Sequence, residues 1–129
     1  MANTDNMTSF IAGGAITEFA LVKVNADGKV EVEASSTSPA AIGIAQRAAS
    51  SGEAVDVIIS GSTRAISGDS ILPGTTTLLM ADTAGRLQNF AAGSGNYAVA
   101  RVVPNVNHNA PVDGDQIKVV FTGPTNYEA

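Results

Sequence analysis

Cysteine and tryptophan are both missing from this 129-residue chain. Disulfides, thiolate metal ligands and a cysteine nucleophile are thereby excluded. Charge is sparse as well: 15% of residues are charged against 44% hydrophobic, the balance of a folded domain and not of a disordered one. Positive charge is the scarcer kind, with seven Lys and Arg against twelve Asp and Glu and a formal net charge of −5. The basic residues Lys23, Lys29, Arg47, Arg64, Arg86, Arg101 and Lys118 are scattered along the chain, which argues against direct DNA or RNA binding. No apolar run approaches the roughly 20 residues of a membrane helix. The opening MANTDNMTSF has neither Lys nor Arg, so a soluble, unexported product is expected, without a membrane partner. No G-x-G-x-x-G or G-x-x-x-x-G-K-[ST] pattern opens a helix, and no cofactor is expected.

What the chain does contain is itself, twice. GEAVDVIISG from Gly52 is answered by GDQIKVVFTG from Gly114, an offset of 114 − 52 = 62. LVKVNADGKVE from Leu21 matches LLMADTAGRLQ from Leu78, an offset of 78 − 21 = 57, and IGIAQR from Ile42 matches YAVARV from Tyr97, an offset of 97 − 42 = 55. The blocks come in the same order both times. A repeat of whole units is therefore expected, the first over about 14–61 and the second over about 70–123.

Each block alternates as a half-buried strand does. Val55, Val57 and Ile59 oppose Ala54, Asp56 and Ser60, and Ile117, Val119 and Phe121 oppose Gln116, Lys118 and Thr122. NADG and DTAG carry hairpin-turn chemistry, with Gly28 and Gly85 free to take positive φ. Pro39 to Ala49 is alanine-rich, but Gly43 and the second copy favour strand over helix. The expectation is an all-β fold, a small barrel or sandwich of about ten short strands in two pseudo-symmetric repeats with little or no helix. Residues 1–13 form an N-terminal arm, 14–123 a single β domain and 124–129 a tail. Gly28, Gly43, Gly52, Gly61, Gly85, Gly114 and Gly123 mark the turns that punctuate it. Neither half is expected to bury its apolar face alone, so the two should close over each other. The first nine residues, lacking a counterpart in the second half, read either as a frayed end or as an arm that orders on a neighbour.

Candidate chemistry is thin. His108, the only histidine, lies in the polar loop NVNHN near Asp113, and a solvated histidine is far commoner than a triad member or metal ligand there. Glu31 and Glu33 share one strand face, as a general acid/base pair would, but an exposed edge kept soluble by charge explains them as well. Asp113 and Asp115 flank Gly114, short of the six or more oxygens that calcium takes. Arg64 in SGSTRAISGDS could meet a partner's carboxylate or simply be solvated. No catalytic, metal or cofactor-binding residue is assigned, and the protein is not expected to be an enzyme.

The succession AIGIAQRAASSGEAVDVIISGSTR, GDSILPGTTTLLMADTAGRL, YAVARVV and GDQIKVVFTG resembles the small head decoration, or capsid cement, proteins of tailed bacteriophages. There an I-G-[IV]-A stretch, a short turn, G-[ED]-x-V-x-V and a closing glycine recur, and the resemblance runs from about Gly14 to Gly123. It implies a virion structural protein made in the host cytoplasm and bound to the outer surface of the capsid. The implied partners are the major capsid protein and further copies of itself, as a homotrimer. The arm residues Asn3, Thr4, Asp5, Asn6, Met7 and Thr8 are the candidate capsid contact. A head-fibre base or a tail component is the alternative virion role, and a small hydrolase around His108 the alternative from another class.

Overall fold

The computed structural model describes residues 6–71, 78–91, 95–103 and 112–126. Ten strands and no helix make up these residues. The first five are β1 (Met7–Ile11), β2 (Leu21–Val24), β3 (Val30–Val32), β4 (Ala41–Ala45) and β5 (Ala54–Ile58). The second five are β6 (Gly61–Ile66), β7 (Leu78–Ala81), β8 (Leu87–Asn89), β9 (Tyr97–Val103) and β10 (Gln116–Asn126). They form two five-stranded antiparallel sheets, ordered β1-β5-β4-β2-β3 and β6-β10-β9-β7-β8. Replacing each strand of the first order by the one five places later gives the second. The all-β duplication expected from sequence is the architecture observed, as two sheets and not as one closed barrel.

The equivalence extends to single hydrogen bonds. Ala12 N donates to Glu53 O, Gly13 N to Val30 O and Gly52 N to Ala12 O, at 2.7–2.8 Å; Ser67 N donates to Asp115 O, Gly68 N to Leu87 O and Gly114 N to Ser67 O, each at 2.8 Å. An isolated parallel bridge, Ala12 to Val30 in one unit and Ser67 to Leu87 in the other, draws the two ends of each curled sheet together. Both hairpin tips use the same device. The Asn25 side-chain oxygen accepts from Asp27 N and Lys29 N, and that of Asp82 from Ala84 N and Arg86 N. Gly52 and Gly114 sit at φ +91° and +92°, a left-handed conformation that costs any other residue type strain.

Three features differ from the sequence reading. Met7–Ile11 is not an arm: it pairs with β5 along its whole length, Met7 opposite Ile58 through Ile11 opposite Ala54. Its counterpart is β6, which pairs with β10 in the same sense. As an edge strand it leaves Met7 and Ile11 exposed and turns only Phe10 inward, so it lacks the clean alternation that marks the others. At the other end β10 passes Gly123 through a register shift and continues to Asn126, with Thr125 opposite Ala98, within the residues 124–129 that the sequence assigns to a tail.

The second difference is register. Leu21 faces Ile44 across β2 and β4, and Leu78 faces Arg101 across β7 and β9, so β4 and β9 correspond at an offset of 57 and not 55. A slip of two residues keeps every side chain on its own face, and an alternation pattern cannot detect it.

The third is the core. One apolar cluster is built entirely from the first unit, around Ala12, Ile16, Val22, Val30, Ala45, Val55 and Val57. The other belongs to the second unit, around Ala65, Ile71, Leu79, Leu87, Ala100, Val102, Ile117, Val119 and Phe121, and takes in Leu21, Ala41 and Ile44 from the first. Each half thus curls around its own interior. The halves share a seam where the outer face of β2 and β4 is covered, and each fully buried Leu or Ile there contributes about 1.5–3 kcal/mol.

Gly43, grouped above with the turn glycines, stands inside β4. A Cβ there would lie 2.3 Å from the Ile58 carbonyl oxygen and 2.6 Å from Val57 Cγ1, so close strand packing and not turn geometry requires it.

Candidate functional site

The sequence candidates do not converge. His108 lies outside the described residues, as do Asn3, Thr4 and Asp5. Asn6 accepts a backbone hydrogen bond from Ile59 N at 2.7 Å, and Met7 and Thr8 belong to β1. Glu31 accepts from the Asn25 amide at 3.0 Å. Glu33, two residues on, is no solvated edge charge. It is 1% exposed, its Oε2 accepts from Ser35 N at 3.2 Å, and its Oε1 has no partner among the described residues. Its backbone N donates to Leu21 O, and Leu21 N donates to Gly85 O, which places Glu33 at the seam between the units. Asp113 pairs with Arg86 at 3.0 Å on the surface, while Asp115 accepts from Val112 N as Glu53 accepts from Ser50 N. The two acids beside Gly114 therefore do separate jobs, one a surface pair and one a turn.

Arg64 is the candidate that gains company. It sits directly opposite Lys118 across β6 and β10, both exposed, and its guanidinium donates to the Gln116 side chain at 3.1 Å. Ile117, Val119 and Phe121 of β10 enter the core, so Gln116, Lys118 and Val120 face outward. Val120 is opposite both Ser62 and Arg101, which brings Arg101 onto the same outer face, one step diagonally from Lys118. Strands β6, β10 and β9 carry three cations and no acid; their counterparts β1, β5 and β4 carry one acid, Asp56, and no cation.

Beside this face the seam opens into a cleft of about 390 Å³ lined by Phe19, Gln46, Ser62, Thr63, Arg64 and Lys118. Gln46 of the first unit, just past β4, spans it, its amide donating to Thr63 Oγ1 at 2.8 Å and to Ile44 O of β4 at 3.0 Å. Phe19 packs against the second unit's core and is the one non-glycine residue held at positive φ among the described residues, +62°. Such strain persists only where the surroundings over-determine it. A second seam cleft, of about 290 Å³ between Glu18, Gly85 and Arg86, has its cation already paired to Asp113.

In the sequence these basic residues are scattered, and only the sheet register brings them together. Position 64 opposite position 118 is a fact of strand pairing between β6 and β10.

No protein-family model matches the chain. No curated protein matches either. Among solved structures, the fold is similar to the N base of head fibre gp8.5 from bacteriophage phi29, with a TM-score of 0.66 and 13% sequence identity, covering 94% of this chain and 98% of that one.

Proposed function

We propose that this protein is a structural component of a tailed-bacteriophage virion, a head-attached module of the fibre-base kind that acts by binding and not by catalysis. The observation that carries the proposal is the end-to-end likeness in fold to a head-fibre base, with nearly the whole of each chain covered. The candidate chemistry supports a binding role. The acids at 31, 33, 113 and 115 each have a separate structural placement, and three of the seven cations, Arg64, Arg101 and Lys118, share one outer face. The partner under this proposal is the major capsid protein, reached from outside the shell, with further copies of the chain as a homotrimer.

The resemblance of IGIAQRAASSGEAVDVIISG to decoration proteins supports a second reading, in which the same module cements neighbouring capsomers and carries no fibre. A ligand that binds only the assembled shell stabilises it by RT ln(1 + [L]/Kd) per site, about 3 kcal/mol at a hundredfold excess over Kd. The readings separate in one experiment: purified protein is added to particles that lack it, and their melting and surface are followed. A fibre base leaves shell melting unchanged and supports an outward projection; a cement protein raises it. Recovery of the protein from infected cells but never from purified particles would overturn both.

A further inference from the structure

The second unit carries cations that its own fold does not require. Ser9 and Asp56 occupy in the first unit the places of Arg64 and Lys118, opposite one another in the equivalent strand pair, and β1 and β5 form with no cation between them. Like charges directly across a strand pair are destabilising, so Arg64 facing Lys118 works against the sheet that holds it. Among the described residues no carboxylate relieves the repulsion: the Arg64 hydrogen bond goes to a neutral amide oxygen, and the Lys118 ammonium has no ion-pair or hydrogen-bond partner. Both line the seam cleft, together with the hydroxyls of Ser62 and Thr63 and the Gln46 amide. The cleft therefore presents two charges beside the Ser62 hydroxyl, while the Gln46 amide and the Thr63 hydroxyl are hydrogen-bonded to each other in its wall.

From this geometry we infer that the cleft is a socket for an acidic side chain on the surface of a partner protein. A guanidinium offers a carboxylate two parallel donors, and an ammonium beside it adds a point charge and turns it. A nucleic acid is the poorer occupant, since a net charge of −5 repels a long polyanion while two or three cations hold only a short one. The inference rests on the attachment proposal above only for the identity of the partner.

The test is a titration of the full-length protein with a capped peptide containing two glutamates, followed by amide NMR shifts. Inorganic phosphate and a ten-nucleotide single strand serve as separate arms. Shifts centred on Gln46, Ser62, Thr63, Arg64 and Lys118, weakening as salt rises and reduced at least fivefold in affinity by the R64Q/K118Q double variant, support the socket. Because the first unit folds without these cations and the variant removes a like-charge pair, that variant is expected to melt at or slightly above the wild type. Equal binding by the variant, shifts centred on the Lys23 and Lys29 hairpin, tighter binding of phosphate or of the oligonucleotide, or self-association through these same residues would each overturn it. Particles add an independent arm. Wild type retained and the double variant lost supports the socket, and both retained contradicts it while leaving the attachment proposal standing. If neither is retained, the attachment proposal fails and the titration alone decides the socket.

Discussion

The two units share a backbone plan and diverge where they touch. In the first, Leu21 and Ile44 face each other on the outer side of β2 and β4 and are completely buried against the second unit. In the second, the equivalent positions hold Leu78, which is partly exposed, and Arg101, which is exposed. Packing two copies in tandem covers the outer face of one and leaves the same face of the other open. One strand position thereby becomes core in the first copy and surface in the second. The residues follow: an apolar side chain where a neighbour covers it, a guanidinium where water does.

That contrast can be broken by substitution. The largest effect is expected at the covered position. Ile44→Ala should cost about 3 kcal/mol by leaving a cavity in the seam, whereas Arg101→Ala should stay within about 0.5 kcal/mol. Urea unfolding of the two variants checks this, and equal costs would mean that the faces are not differently buried. Next comes Gly43→Ala, expected to cost about 2 kcal/mol in urea unfolding because the added methyl meets the Ile58 carbonyl, although the register-equivalent residue of β9 is Ala100.

The turn glycines sharpen the comparison in the opposite sense, since there the units should agree. Gly52→Ala and Gly114→Ala each place a Cβ at φ near +90° and should cost about 1–2 kcal/mol, matching within about 0.5 kcal/mol. Thermal melts of the pair decide it. The smallest effect is expected from Asp56→Lys, which gives the first unit the charge of Lys118. Stability should change by no more than about 0.5 kcal/mol, showing that the strand pair is indifferent to that charge.

The duplication, the strand class and the hairpin tips were legible in the sequence because they rest on local signals: alternation for the strands, Asn/Asp with Gly for the tips. The opening strand was not, for an edge strand with Met7 and Ile11 turned to solvent and polar Thr8 and Ser9 between them has no apolar face to betray it. Nor was the register of β4 against β9, since displacement by two residues preserves the pattern. The separate cores were hidden for a related reason. Alternation tells which residues turn inward but not toward which interior, and Leu21 and Ile44 read like any other core residues although they point out of their own unit. The cation face was not legible because Arg64, Arg101 and Lys118 are far apart in sequence and become neighbours only through β10.

The functional account stands most directly on the native particle. A cryo-EM map of the phage head at side-chain resolution should contain this ten-stranded module on the outside of the shell, with β6, β10 and β9 turned toward the protein beneath and an acidic side chain entering between Arg64 and Lys118. A map in which the module sits on the tail, or rests on the shell through β1 and β5 with the cation face open to solvent, would contradict it.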